Sequence, residues 1–444
     1  MKNIDAKTAF IIMGFLLIMV GILQSWGVAI TILNLCIISA IMSMGVNIQW
    51  GFAGLINFGV MGFLAIGGLA TVIISMPPVY EAWTVGGAGI FYSLLFLIGL
   101  VASCILINKW FYDFKYKNFI IFILIALSIP VLKKISGSSI QSIESVNPAA
   151  AGYLGGLGLP IIFSWFIGAI LSASIAYVIG KICLGLRSDY LAIATLLISG
   201  IIISVIKHEE WLSRGVKNVI GLKRPAPYEV NLQNSQWFID LINFINIGGD
   251  ASRDLIISSS GIFVKLCFTI IFFITLVILL FLSERAVNSP WGRMMRAIRD
   301  NDIAAKSMGK NIVKHQLSVF MIGSAIIGFA GAMLVTYDGL FTPSSYQPLR
   351  YTFLIWVMVL LGGSGNNYGS ILGGFVVWFI WIESAPIALM IIEIFTLFLD
   401  QSNPIKLHLI ESIPYFRYLM MGVGLLLVMR YKPEGLLPEK SNKL

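Results

Sequence analysis

The sequence predicts an all-α fold, a polytopic transmembrane helical bundle of about 10–12 spans with both termini cytoplasmic. Three observations carry this. Of the 444 residues, 58% are hydrophobic and only 11% charged, and the mean hydropathy is +0.90; a soluble domain is about half apolar and a quarter charged. The apolar residues gather into runs near the ~20 residues that cross a bilayer. The charged residues collect between those runs, and unevenly, which orients the chain.

Taken in order, spans are expected near 9–26, 28–48, 58–76, 90–107, 119–132, 160–180, 190–206, 261–283, 316–337, 351–361, 370–392 and 415–429. The fifth and tenth of these runs are short. The first follows Lys2 and Lys7 but is long for a signal-peptide core, so it reads as a retained span. Residues 1–444 form one transmembrane domain interrupted by three longer polar segments. Residues 133–159 and 207–260 read as external loops. Within the second, 234–246 carries Trp237, Phe238, Ile242 and Phe244 and suits a helix lying on the membrane surface. Residues 284–315 form a cytoplasmic loop.

Alternation leaves two orientations. With the N-terminus inside, the inner segments hold 18 Lys and Arg against 8 acids, and the outer segments 12 against 13. That asymmetry places both ends in the cytoplasm. The net charge of +9 is then a topology signal, and no nucleic-acid partner is needed to explain it. The four cysteines each stand alone in an apolar run, without the pairing that metal or redox chemistry needs.

The 284–315 loop has internal design. Ser289 before Pro290 is a helix opening, and Arg293, Arg296 and Arg299 follow at a spacing of three, on one broad face. Asp302 is placed to cap a second short helix, which Gly309 ends with a left-handed turn. A loop that only sets topology needs basic residues but no capped helix pair. A membrane domain that receives a push from a soluble partner does need one, and docking is the reading we take forward.

Two apolar stretches are broken by small and polar residues. One contains Gly51, Gly54, Asn57 and Gly59; the other contains Gly362, Gly363 and Gly365. Three readings stand: breaks that flank a solute path, glycines that let helices approach, or plain cytoplasmic turns. Glu383 lies thirteen residues beyond Ser370. It is a functional candidate if the helix carries it at mid-membrane and an interfacial residue if the helix ends near Pro386, which is the preferred reading. No P-loop, His-Glu-x-x-His or nucleophile-elbow run occurs. No catalytic residue, cofactor or metal is therefore expected, and any ATP hydrolysis belongs to separate subunits. An ion-coupled secondary transporter is the competing class, but it calls for several intramembrane acids, and Glu383 alone qualifies.

The run Ile303-Ala304-Ala305-Lys306-Ser307-Met308-Gly309 resembles the Glu-Ala-Ala-x-x-x-Gly loop of ABC importer permeases, with Ile303 in the glutamate's place and Asp302 before it. The wider 289–311 segment looks like the loop of branched-chain amino-acid permeases of the LivM type. So do Gly51-Phe52-Ala53-Gly54-Leu55, Leu361-Gly362-Gly363, Leu186-Arg187-Ser188-Asp189-Tyr190-Leu191-Ala192 and Arg430-Tyr431-Lys432-Pro433-Glu434-Gly435-Leu436. The resemblance implies a permease in a bacterial plasma (inner) membrane, paired with a second, related permease subunit. It implies two cytoplasmic ATPase subunits that receive Arg293, Arg296, Arg299, Asp302, Ala304, Ala305 and Gly309, and an external solute-binding protein. Branched-chain amino acids are the implied cargo, with urea, amides or other amino acids as alternatives.

Overall fold

The structure, a computed structural model, describes residues 5–110, 116–147, 152–246, 252–398, 400 and 403–439. Lys2, Lys115, Lys440 and Lys443, which entered the charge count, lie outside the described residues. Among the described residues, ten helices have the length and apolarity to cross a membrane: α1 (Ala6–Leu23), α2 (Trp26–Gln49), α4 (Tyr80–Trp110), α5 (Lys117–Ser145), α6 (Ile162–Cys183), α7 (Ser188–His208), α11 (Arg253–Asn288), α14 (Ile312–Asp338), α16 (Asn367–Phe395) and α18 (Ile413–Tyr431). Two apolar helices are shorter, α3 (Val60–Ser75) and α15 (Pro348–Gly362). The twelve coincide with the twelve expected runs, and the all-α multi-pass class is what the chain adopts.

Helices α2, α3 and α14 form the centre and bury most of their surfaces, while α1, α4, α5 and α18 are peripheral. Lipid supplies no hydrophobic force between helices, so close packing has to. At the crossing of α3 and α14, Gly67 sits against the Gly328 carbonyl so closely that a β-carbon there would overlap it. Trp165 of α6 seals the neighbouring layer, donating to Thr336 Oγ1 at 2.9 Å and packing at a tilt on Phe272 and edge-to-face on Phe329. Helices α4 and α5 pack chiefly on each other.

Several boundaries differ from expectation. The fifth helix is long: α5 passes through Pro130 and continues to Ser145, so half of the 133–159 loop is helix. The 207–260 loop is shorter, because α7 runs to His208 and Ser252 caps α11 nine residues before the expected span begins, accepting from Leu255 N. Between them lie α8 (Glu210–Ser213), α9 (Glu229–Gln233) and α10 (Gln236–Ile245). Helix α10 buries Phe238 and Ile242 and exposes Trp237 and Phe244. A two-residue strand there, β1 (Val219–Ile220), pairs antiparallel with β2 (Leu340–Phe341) beyond α14. The last helices are joined by α17 (Pro404–Glu411).

The 284–315 loop is likewise reduced by its neighbours to 289–311, which holds α12 (Pro290–Asp300) and α13 (Asp302–Ser307). Pro290 opens α12 as expected, but the Ser289 hydroxyl turns back to the Ala286 carbonyl at 2.6 Å instead of capping. The cap of α13 is Asn301, whose extended backbone lets its side chain accept from Ala304 N; Asp302 is the first helical residue. Gly309 does end the pair, at φ +74°.

Candidate coupling face and solute path

The two helices α12 and α13 project from one end of the bundle. Gly292, Met295 and Ile298 of α12 are buried against the body, and Trp291 Nε1 donates to Ser318 Oγ of α14 at 3.2 Å. The three arginines do not stand free. Arg293 donates to the Asn288 carbonyl and Arg296 to the Val287 carbonyl, at 3.3 and 3.2 Å. Arg299 reaches deepest. It donates to the Gly51 carbonyl and to both carboxylate oxygens of Glu439, at 3.0 and 3.5 Å, and pairs with Asp300 at 3.1 Å. Burial alone would lower the Arg299 pKa, yet its hydrogen bonds to Glu439 and Asp300 outweigh that and hold it above its ordinary value. A spacing of three puts these arginines on one face, as expected, but that face grips the chain's own carbonyls and its C-terminal segment.

Helix α13 is different. Only Ala305 is buried; Asp302, Ala304 and Gly309 are open, and Ile303 and Met308 are 74% and 79% exposed. Between α12, α13 and the start of α7 lies a polar hollow of about 320 Å³, lined by Gly54, Arg187, Arg299, Asp300 and Asp302 among others.

The glycine runs meet at this same end. Gly51 and Gly54 belong to a turn after α2, Gly54 at φ +69° against Arg299, and a β-carbon on Gly51 would strike the Asn47 side chain and Gly365 N. From Leu55 to Gly59 the chain is not helical and runs back along the bundle. Several of its polar groups are satisfied in place. Asn57, 1% exposed, donates to Gln49 Oε1 at 2.9 Å, and its Oδ1 receives Gly59 N at 2.8 Å. Phe58 N donates to Thr195 Oγ1 and Trp356 Nε1 to the Asn57 carbonyl, both at 3.0 Å. Gln49 in turn donates to the Phe320 carbonyl and Ser324 Oγ, at 2.9 and 3.1 Å. Ser324 lies twelve residues into α14, or ~18 Å along it. Irregular backbone at such depth persists only where protein groups replace water.

The second run is a turn. Gly363 and Gly365 adopt φ +117° and +77° between α15 and α16, and the C-terminal segment closes over them, with Leu436 N and Leu437 N donating to the carbonyls of Leu361 and Gly362. Asn47 joins the two runs. Its Oδ1 accepts from Gly365 N at 2.9 Å, its Nδ2 donates to Asn367 Oδ1 at 3.2 Å, and Asn367 donates to Glu284 Oε1 at 2.9 Å. Sequence reasoning passed over Asn47, Gln49, Glu284 and Glu439. The signal for the first two was present as amides inside an otherwise apolar helix.

Glu383 stands apart from all of these. Helix α16 continues past Pro386 to Phe395, so the helix does not end beside it as the interfacial reading supposed. Glu383 is 4% exposed and accepts from Gln24 Nε2, between α1 and α2, at 2.7 Å.

Ten spanning helices, a polar break threaded through their centre and a helix pair rooted at one end define a membrane transport subunit, a permease. The chain belongs to the permease-component family of branched-chain amino acid transport systems, whose family model matches residues 137–429. A probable branched-chain amino acid transport permease protein LivM of Methanocaldococcus jannaschii is 25% identical over 410 residues, 90% of each chain. The high-affinity LivM permease proteins of Salmonella typhimurium and Escherichia coli are each 25% identical over 332 residues, 72% of this chain and 68% of theirs. No solved structure matches. The chain is thus a multi-pass membrane protein and a transport subunit of an ABC importer, acting with the importer's other components.

Proposed function

We propose that this chain passes branched-chain amino acids across a bacterial plasma membrane as one half of a permease pair. An external binding protein delivers the solute, and two cytoplasmic ATPases drive the switch between outward-open and inward-open forms. The α12–α13 pair receives that drive, and both termini lie on its side of the membrane.

The observation that carries this reading is the division of labour in 289–311. Helix α13 and the residue that ends it expose Ile303 and Met308, two large apolar side chains that no other described residue covers. Exposed apolar side chains on a short capped helix suit a partner's groove. The helix behind it is bonded through Arg299 to the α2–α3 turn and to the C-terminal segment, so displacement of α13 is carried to the helices beside the Asn57 break. ATP binding biases such an element only if the two forms bind the ATPases differently.

The test is purification with the adjacent subunits and reconstitution in vesicles. Leucine uptake that needs ATP and the ATPases supports the proposal. Uptake by the chain alone, without ATP, overturns it.

A further inference from the structure

On the side away from α12, a half-open cavity of about 880 Å³ lies between the last turn of α7, the first turns of α15 and one face of α18. Phe353, Leu354, Met421 and Leu425 make its walls apolar, and among the described residues no Asp or Glu lines it. Arg350 and Lys207 do. Neither forms an ion pair among the described residues, and Arg417 beside them forms none either. The Arg350 guanidinium is packed among three rings, 5.1 Å from the centre of Tyr418, 5.3 Å from Trp381 and 5.4 Å from Tyr351. Arg417 lies 5.8 Å from the same Trp381. Ring faces hold a guanidinium in place but accept no hydrogen bond in its plane. Arg350 Nε is enclosed, whereas its two terminal nitrogens are accessible and donate to nothing among the described residues.

The position disfavours a cation on two further counts. Arg350 stands in the first turn of α15, where the helix's own partial charge is positive. The 15 residues of α15 rise ~22 Å from the Gly363 turn, less than the ~30 Å of a bilayer's apolar core, so that first turn is recessed below the opposite surface. Cations so placed face a cavity and meet an anion. The cavity also adjoins the polar break. Thr352 and Trp356 of α15 donate to the carbonyls of Phe58 and Asn57, at 3.4 and 3.0 Å, and Thr195 of α7 receives Phe58 N. The two helices that hold the break therefore line the cavity as well.

We propose that this cavity is the outer mouth of the solute path in this chain, and that Arg350 receives the carboxylate of an aliphatic amino acid there. The carboxylate takes both terminal nitrogens of the guanidinium, the side chain lies against Phe353 and Met421, and Lys207 adds attraction. With no acid on the walls, the ammonium group stays in water. The site thus reads the carboxylate and the apolar side chain and leaves the amine unread. This rests on the transport of branched-chain amino acids proposed above and adds the residue of this chain that first holds the solute.

The test uses the whole importer in lipid nanodiscs with Gly422→Cys as reporter, since Gly422 lines the cavity and a β-carbon there meets nothing within 4 Å. Thiol modification at position 422 is followed by peptide mass, which separates it from the native cysteines. Leucine at ~10 times its Kd for the site should slow modification roughly tenfold. The amine-free 4-methylpentanoate should protect as leucine does, and 3-methylbutylamine, which lacks the carboxylate, should not. Arg350→Gln should remove protection, and Arg350→Lys should keep part of it, having the charge without the planar fork. Lys207→Gln, which leaves the ring cluster intact, should weaken leucine's hold roughly two- to fivefold. Unchanged modification by leucine in an importer that takes up leucine overturns the site, as does equal protection by the amine or protection that survives Arg350→Gln. Modification that is slow in phosphatidylglycerol nanodiscs without leucine, and indifferent to leucine in phosphatidylcholine, gives the cavity to a lipid headgroup and overturns it too. Failure of the wild-type importer to take up leucine at all overturns the functional proposal instead, and leucine as the occupant with it.

Discussion

Arg299 is the residue at which the loop, the first glycine turn and the C-terminal segment are joined. Its ion pair with Glu439 leaves the two side chains 25% and 30% exposed, so its net strength is on the order of 1 kcal/mol after solvent screening. Arg299→Glu and Glu439→Arg should each lower ATP-driven uptake about 2- to 30-fold, the span expected for 0.5–2 kcal/mol of lost coupling. The charge swap should restore part of that loss and no more, because glutamate at 299 has no proton to give the Gly51 carbonyl. A swap no better than the worse single variant removes the ion pair from the argument. The Arg296→Glu, Arg299→Glu pair should uncouple uptake from ATP hydrolysis, and unchanged uptake with unchanged ATPase stimulation would count against it. Gly51→Ala meets Asn47 and backbone, and should cost about 1–3 kcal/mol, read as a lower melting temperature in detergent. The arginine spacing was legible in the sequence. Its use was not, since the acceptors are the Gly51 carbonyl and Glu439, 248 and 140 positions away.

At the scale of elements, the contrast between α12 and α13 yields a separation of effects. Ile303→Asp and Met308→Asp place charge on surfaces already open, so thermal stability should hold within about 0.5 kcal/mol. Co-purification of the ATPases should fall severely, since a few central apolar side chains dominate most docking surfaces. Retained ATPase binding in the double variant would move the docking surface elsewhere. Gln49→Leu should behave in the opposite way. It leaves Asn57 Nδ2 without its acceptor in a dry interior, at about 1–3 kcal/mol, and should lower stability before it touches ATPase binding. The glycine runs were visible in the sequence as interruptions, and three readings of them stood open. What separates the runs is which partners reach them. Thr195, Trp356 and Gln49 meet the Leu55–Gly59 backbone along its length, while the C-terminal segment meets Gly363 at a helix end.

For the whole molecule, the charge asymmetry and the fold make one shared prediction. Ser307→Cys and Lys217→Cys lie at opposite ends of the bundle, so an impermeant thiol reagent added to intact cells should label position 217 and spare 307. The reverse pattern would invert the topology and remove the ATPases from α13. The range of about ten to twelve spans, their order and the helix pair at 289–311 follow from the sequence alone, because spanning length and hydropathy are local properties set against a solvent of known thickness. Where helices stop was less legible. Pro130 and Pro386 sit inside helices whose neighbours tolerate them, and Ser252 starts α11 ahead of its apolar run. The tertiary structure decided which polar groups meet: Asn47 with Gly365, Arg299 with Glu439, and Asn57 with Gln49. Such pairings depend on how helices distant in sequence cross, and in an apolar medium the crossings are set by packing of small residues, a property of surfaces in contact that no single segment carries.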